Sequence, residues 1–212
     1  MTRNKKCKTT GFANIQVGGT AANILIGFFP ETEEKTSKDV EKKTGISHES
    51  IFRNLKTLVK GGYLKKRKVG KTNVYKFILN DKSYLTFVHY MTKKLEKFKK
   101  NHGLLYKRLK EFTSTINSQT VILFGSYAKG TETKQSDIDI LVVSNEKTIE
   151  KTARIFKTKY NISIKPVVIK TNDFKNIRKD NPEFYKDLIK FGIVFYGTEY
   201  FFQEVYFNDK NN

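Results

Sequence analysis

The chain is 212 residues long, room for one large domain or two small ones, and carries 41 Lys and Arg against 21 Asp and Glu, a net charge of +20. A single cysteine, Cys7, excludes an internal disulfide framework, and no apolar run reaches membrane-spanning length, the longest being the 21–29 region with Asn23 inside it. The charge is uneven. Residues 1–110 hold 26 basic and 8 acidic side chains, whereas residues 111–212 hold 15 and 13, which predicts two modules and a polyanionic partner for the first.

Residues 1–19, with Lys5, Lys6, Lys8 and the pair Gly18-Gly19, show no periodicity and are expected to form a basic flexible arm. Their polar start lacks the apolar stretch of a secretory signal, and the expected localisation is cytoplasmic, with no membrane partner. From Thr20 the pattern becomes helical: Ala21, Ile24, Leu25 and Phe28 share a face, and Pro30 ends the segment. Thr36 and Asp39 have the spacing of a capping box for a second helix, which Thr44-Gly45 interrupts. Ser47 is placed to cap a third helix, with Ile51, Leu55, Leu58 and Val59 on its buried face and Gly61-Gly62 as its stop. Tyr63-Leu64 opens a strand, Lys65-Lys66-Arg67-Lys68 leads into a turn at Gly70-Lys71, and Val74 to Leu79 returns.

Three helices followed by a basic hairpin resemble a winged helix-turn-helix domain, here over residues 20–80. The resemblance implies double-stranded DNA as a partner, with the third helix in the major groove and the wing on the backbone or minor groove. The candidate contacts are Arg53, Asn54, Lys56 and Lys60 on the helix and Lys65, Lys66, Arg67 and Lys71 on the wing. Arg and Asn suit bidentate contacts to guanine and adenine edges. His48, His89 and His102 lack acidic or cysteine partners at metal spacing, so no zinc site is expected.

Tyr84 to about Phe112 reads as helical, broken at Asn101-His102-Gly103 into a connector over residues 81–101 and the first helix of a second domain over 102–212. Leu85, Val88, Leu95, Phe98, Leu105, Leu109 and Phe112 form an interrupted apolar stripe. Two readings of it stand: packing within the chain, or the seam of a homodimer.

The densest signal follows. An apolar strand over Gln119–Phe124 runs into Gly125-Ser126-Tyr127-Ala128-Lys129, and Asp137 and Asp139 open the next strand. Strand alternation turns the two acids to one face and Ile138, Ile140 and Val142 to the other. Paired carboxylates repel unless a cation lies between them, and Mg²⁺ takes one or two carboxylates together with phosphate oxygens. Gly125 permits close backbone approach, Ser126 is placed to cap the next helix, and Lys129 one turn on is placed to pair with phosphate. A Gly-Ser turn, about ten residues, then Asp-x-Asp resembles the nucleotidyltransferase superfamily of DNA polymerase β-like folds, in its minimal branch.

That resemblance implies an α+β fold with a small mixed sheet and flanking helices. It also implies a nucleoside triphosphate, ATP first, bound with Mg²⁺ or Mn²⁺. Asp137 and Asp139 would be the catalytic and metal-holding acids, and Gly125, Ser126 and Lys129 the nucleotide contacts. Active relatives carry a third carboxylate on a later strand. Here that strand is Asn161–Ile169, and the position facing the metal is Ser163 or Lys165, neither of them an acid, with Asp173 beyond the strand a poor substitute. Lys165 could take a metal's electrostatic place. The remaining pattern is a helix over Lys147–Tyr160, a helical region over Phe174–Lys190 restarted at Pro182, a strand at Ile193–Gly197, and an aromatic tail expected to dock on a surface or partner. The leading expectation is a DNA-binding protein with a nucleotidyltransferase domain that transfers a nucleotidyl group to an acceptor hydroxyl. The alternative is a regulator, or an antitoxin paired with a toxin protein, whose second domain only binds nucleotide or a partner.

Overall fold

The computed structural model describes residues 19–30 and 33–206; the arm expected over residues 1–19 lies outside them except for Gly19. The chain divides into two compact units, residues 1–83 and 84–212. They carry net charges of +11 and +9. The contrast seen with a division at residue 110 therefore narrows, because the lysines around residues 93–110 fall in the second unit.

In the first unit α1 (Gly19–Ile26) is followed by a short strand β1 (Lys35–Thr36), α2 (Ser37–Thr44), α3 (His48–Lys60) and the hairpin β2 (Leu64–Val69) and β3 (Thr72–Phe77). The capping box at α2 forms as the sequence predicts: Asp39 N–H donates to Thr36 Oγ1 at 3.2 Å and Thr36 N–H to Asp39 Oδ2 at 2.8 Å. Gly45, with φ +68°, closes the helix. Ser47 does not cap α3 with its side chain; only its carbonyl takes part, accepting from Ile51 N–H at 3.0 Å. Ile51, Leu55 and Leu58 are buried with Ile24, Leu25 and Val40, and α1 and α2 both pack on α3. Phe28 lies past the end of α1 but is fully buried, and Phe29 meets Phe77 edge-on at 4.9 Å. The sheet order is β1-β3-β2, all antiparallel. The two residues of sequence 35–36 that pair with β3 were too few to show a strand pattern.

α4 (Asp81–Asn101), which lies in the second unit from Tyr84 onward, is followed by α5 (Gly103–Thr115). Next come β4 (Thr120–Leu123), α6 (Gly125–Lys129), β5 (Ile138–Val143), α7 (Ile149–Tyr160) and β6 (Ile164–Ile169). The unit closes with α8 (Thr171–Asp180), α9 (Pro182–Phe191), β7 (Ile193–Tyr196) and α10 (Thr198–Tyr206). Its sheet runs β6-β5-β4-β7, parallel between β5 and β6 and antiparallel elsewhere. The chain is thus α+β, with a small mixed sheet and flanking helices, consistent with the fold that the resemblance implies.

Ile138, Ile140 and Val142 are buried, joining Val121, Leu123, Phe112, Phe156 and Phe195 in one core. Burial of Leu141 and Val143 as well makes β5 a two-sided central strand beyond Asp139. The stripe on α4 differs from the sequence reading. Phe98 is buried as expected, but Leu85 is 71% exposed and Val88 and Leu95 are half-buried; the other buried apolar positions of α4 are Phe87 and Met91, because the aromatic C-terminal segment is itself a helix that covers this side. Phe202 and Tyr206 of α10 lie 5.1 and 5.5 Å from the Phe87 ring. Among the described residues no helix is long and apolar enough to cross a membrane.

Candidate functional site

The end of β4 and the start of β5 build the site. Phe124 N–H donates to Asp139 O at 3.0 Å, which brings the Gly-Ser turn beside the paired acids. Gly125 has φ +68°, a conformation side chains rarely adopt, and a Cβ there would overlap Asp139 Oδ2 and lie 3.1 Å from Cγ. Gly is required on both counts. The short helix α6 begins at Gly125 rather than after Ser126, so Phe124 takes the N-cap position in extended conformation and no side-chain capping bond forms. Ser126 is inside the first turn, and its carbonyl accepts from Thr131 N–H at 3.0 Å.

Asp137 immediately precedes β5 and Asp139 is its second residue. Their environments differ. Burial, then the neighbouring Asp137 charge, holds the Asp139 carboxyl above its ordinary range. Asp137 is held below it by hydrogen bonds from Lys165 and Ser163. Lys165 lies opposite Asp139 in the parallel register of β5 and β6, with its Nζ 2.5 Å from Asp137 Oδ2. The strand position that alternation assigns to a third acid therefore presents a cation. Asp173, exposed in the first turn of α8, brings no acid to it: among the described residues no group of three or more His, Cys, Asp or Glu is placed to hold a metal ion. One face of Asp137 is engaged by an ammonium, and the set does not fit the three-carboxylate divalent site of the active family pattern.

Lys129 is also engaged. Its Nζ is 2.5 Å from Asp187 Oδ2 on α9 and 5.3 Å from the Phe191 ring centroid. Phe184 of the same helix meets Phe124 edge-on at 5.2 Å. A third contact joins the segment after α6 to the α4–α5 junction: His102 Nε2 is 3.2 Å from Glu132 Oε1, with the imidazole 5.6 Å from the Tyr127 ring. Asp187 and Glu132 carried no signal in sequence, since each is 30 or more residues from the side chain it meets, whereas strand alternation had already marked Ser163.

In the first unit the expected DNA contacts lie on α3 and the hairpin. Arg53, Lys56, Lys60, Lys65, Lys66 and Lys71 are exposed. Arg53 is 3.7 Å from Glu49, and Lys56 Nζ sits 4.6 Å over the ring of Phe52, itself 46% exposed. Asn54 is half-buried and donates to Ser50 O at 2.8 Å. Arg67 forms a two-point pair with Glu34, its Nε donating to Oε1 at 2.5 Å and its Nη2 to Oε2.

Comparison with known proteins agrees with the second unit. Residues 106–197 match the nucleotidyltransferase domain family, and this span contains the turn, both aspartates and Lys165. Three proteins of Methanocaldococcus jannaschii, each named as a candidate protein adenylyltransferase, are similar to parts of the chain. One is 33% identical over 99 residues, covering 42% of this chain and 96% of the relative. A second is 36% identical over 75 residues, covering 29% and 76%. The third is 32% identical over 72 residues, covering 30% and 48%. No solved structure matches the chain. A turn and two aspartates folded against each other within residues 106–197, which match the family, together with a relative matched along nearly the whole of its length, place this chain in the nucleotidyltransferase domain family.

Proposed function

We propose that this chain is a DNA-binding regulator whose second unit binds a nucleoside triphosphate, ATP first, and turns it over slowly. The observation that carries the nucleotide reading is the contact between Gly125 and Asp139, which leaves a side-chain-free backbone beside two carboxylates. Gly125 and Ser126 face the triphosphate, Lys129 exchanges Asp187 for a phosphate oxygen, and Asp137 and Asp139 line the reacting side. Family membership supports a nucleotide substrate, and its members generally pair it with a divalent metal. The missing third acid argues for slow chemistry, since a positioned general base is worth about a hundredfold to ten-thousandfold in rate.

DNA binding rests on the first unit. A helix with exposed Arg53, Lys56 and Lys60 precedes a hairpin whose Lys65, Lys66 and Lys71 are exposed, in the order of a winged helix-turn-helix.

The relatives' names support a second reading, adenylyl transfer to a protein. In that reaction an acceptor hydroxyl oxygen attacks the α-phosphorus of ATP, the bond to pyrophosphate breaks, pyrophosphate leaves and the hydroxyl proton goes to solvent. Incubating the full chain with α-labelled ATP separates the readings. Saturable binding, weakened in Lys129→Ala, with little pyrophosphate or protein-bound label is the expected result. Label accumulating on protein favours the second reading, and the absence of any saturable ATP binding removes both.

A further inference from the structure

We propose that Lys165 serves as the resident cation of the nucleotide site, so that a triphosphate binds there without a divalent metal. The inference rests on the nucleotide reading above and adds its cation requirement. Lys165 stands across from Asp139 in the β5–β6 register, and Ser163, two residues earlier, hydrogen-bonds Asp137. Period-two alternation turns Ser163 and Lys165 to one face. The Nζ of Lys165 is 2.5 Å from Asp137 Oδ2, while its side chain remains 63% exposed.

A lysine where an acid would complete the site reverses the sign of that position, leaving two carboxylates and one ammonium. Mg²⁺ gives up its waters reluctantly and depends on carboxylates and phosphate oxygens to replace them, so this set attracts it far less than three carboxylates would. An ammonium has three N–H donors. Asp137 takes one, and the exposure of the side chain leaves the others able to reach phosphate oxygens, to which Lys is a well-suited point charge.

An exposed Lys–Asp pair contributes little to stability. The importance of Lys165 is thus positional, and its replacement should leave the fold intact. Neutral and acidic replacements then probe the site, while Lys165→Arg tests rescue by a second cation.

The test is equilibrium dialysis of labelled ATP against the full-chain protein, in excess Mg²⁺ and in EDTA. Thermal melts of each variant serve as the folding control. Wild-type affinity is expected to differ by less than about threefold between the two conditions, and Lys165→Ala to lose about tenfold in EDTA. Lys165→Arg should keep most of the EDTA binding, and Lys165→Asp should bind only with Mg²⁺. Wild-type binding that collapses in EDTA, or Lys165→Ala binding in EDTA as tightly as wild type, overturns the inference while leaving the nucleotide reading in place. Absence of binding by every protein in both conditions overturns the nucleotide reading itself.

Discussion

The carboxylate of Asp139 fills the space into which a side chain on residue 125 would project, and Phe124 N–H is bonded to Asp139 O at 3.0 Å. Turn and strand therefore fix each other's positions. Any side chain at 125 must displace the acid, distort the left-handed backbone, or both.

Gly125→Ala is accordingly expected to destabilise the second unit by about 1–3 kcal/mol through backbone strain and displacement of Asp139. ATP affinity should fall with it. Urea titration together with nucleotide binding checks this; an unchanged midpoint and unchanged affinity would show that Asp139 has room to retreat.

Lys129 is held by Asp187, an exposed pair of the kind worth about 0.2–1 kcal/mol. Asp187→Asn should release it at little cost in stability and tighten ATP binding severalfold, whereas Lys129→Ala should weaken binding. Dialysis on the two variants decides the matter, and weaker binding by Asp187→Asn would mean that the acid itself helps hold the ligand.

Lys94 predicts a pH dependence. Its Nζ donates to Gly192 O at 2.5 Å and Lys190 O at 3.3 Å, and burial pushes its pKa from 10.5 down to about 7. Between those values the unfolded chain keeps a proton that the folded chain has released, so this group makes stability rise with pH above about 7. Below that value both states are protonated and the cost of burying the ammonium is fully present. Lys94→Met should flatten the rise, measured by denaturant titration from neutral pH up to about pH 9, where Tyr200, pushed up to about 12, does not titrate in the folded chain. An identical slope in wild type and variant would refute it.

DNA binding by the full chain should depend steeply on salt. Replacing Lys65 and Lys66 with Ala should lower the log–log slope by about 2. Arg53→Ala should erode sequence preference more than Asn54→Ala, because the Asn54 amide already donates to Ser50 O. Arg67→Ala should change the slope little while Glu34 holds the guanidinium. Fluorescence anisotropy over a salt series checks all three, and salt-independent or absent binding would remove the reading.

Local chemistry makes much of this legible in the sequence alone. The capping box of Thr36 and Asp39, the breaks at Gly45 and His102, and the burial of Ile138, Ile140 and Val142 depend on neighbours within a few residues, where periodicity and capping rules act. The Gly-Ser turn and Asp-x-Asp strand are legible for the same reason, since backbone freedom and alternation are local properties. Ser47 and Ser126 show the limit of that logic: both have the right residue type, but the chain enters each helix so that neither side chain makes a capping bond.

What the amino-acid sequence determined by itself, then, was the kind of fold and the presence of two acids beside a glycine turn. Only the tertiary structure decided what those groups meet. Lys165 reaches Asp137 because β6 pairs in parallel with β5, Lys129 reaches Asp187 because α9 returns to α6, and Phe87 is buried because the aromatic segment folds as α10. Each contact joins residues 28 or more positions apart. Charge and packing at such separations are set by chain topology, which no local rule of spacing encodes.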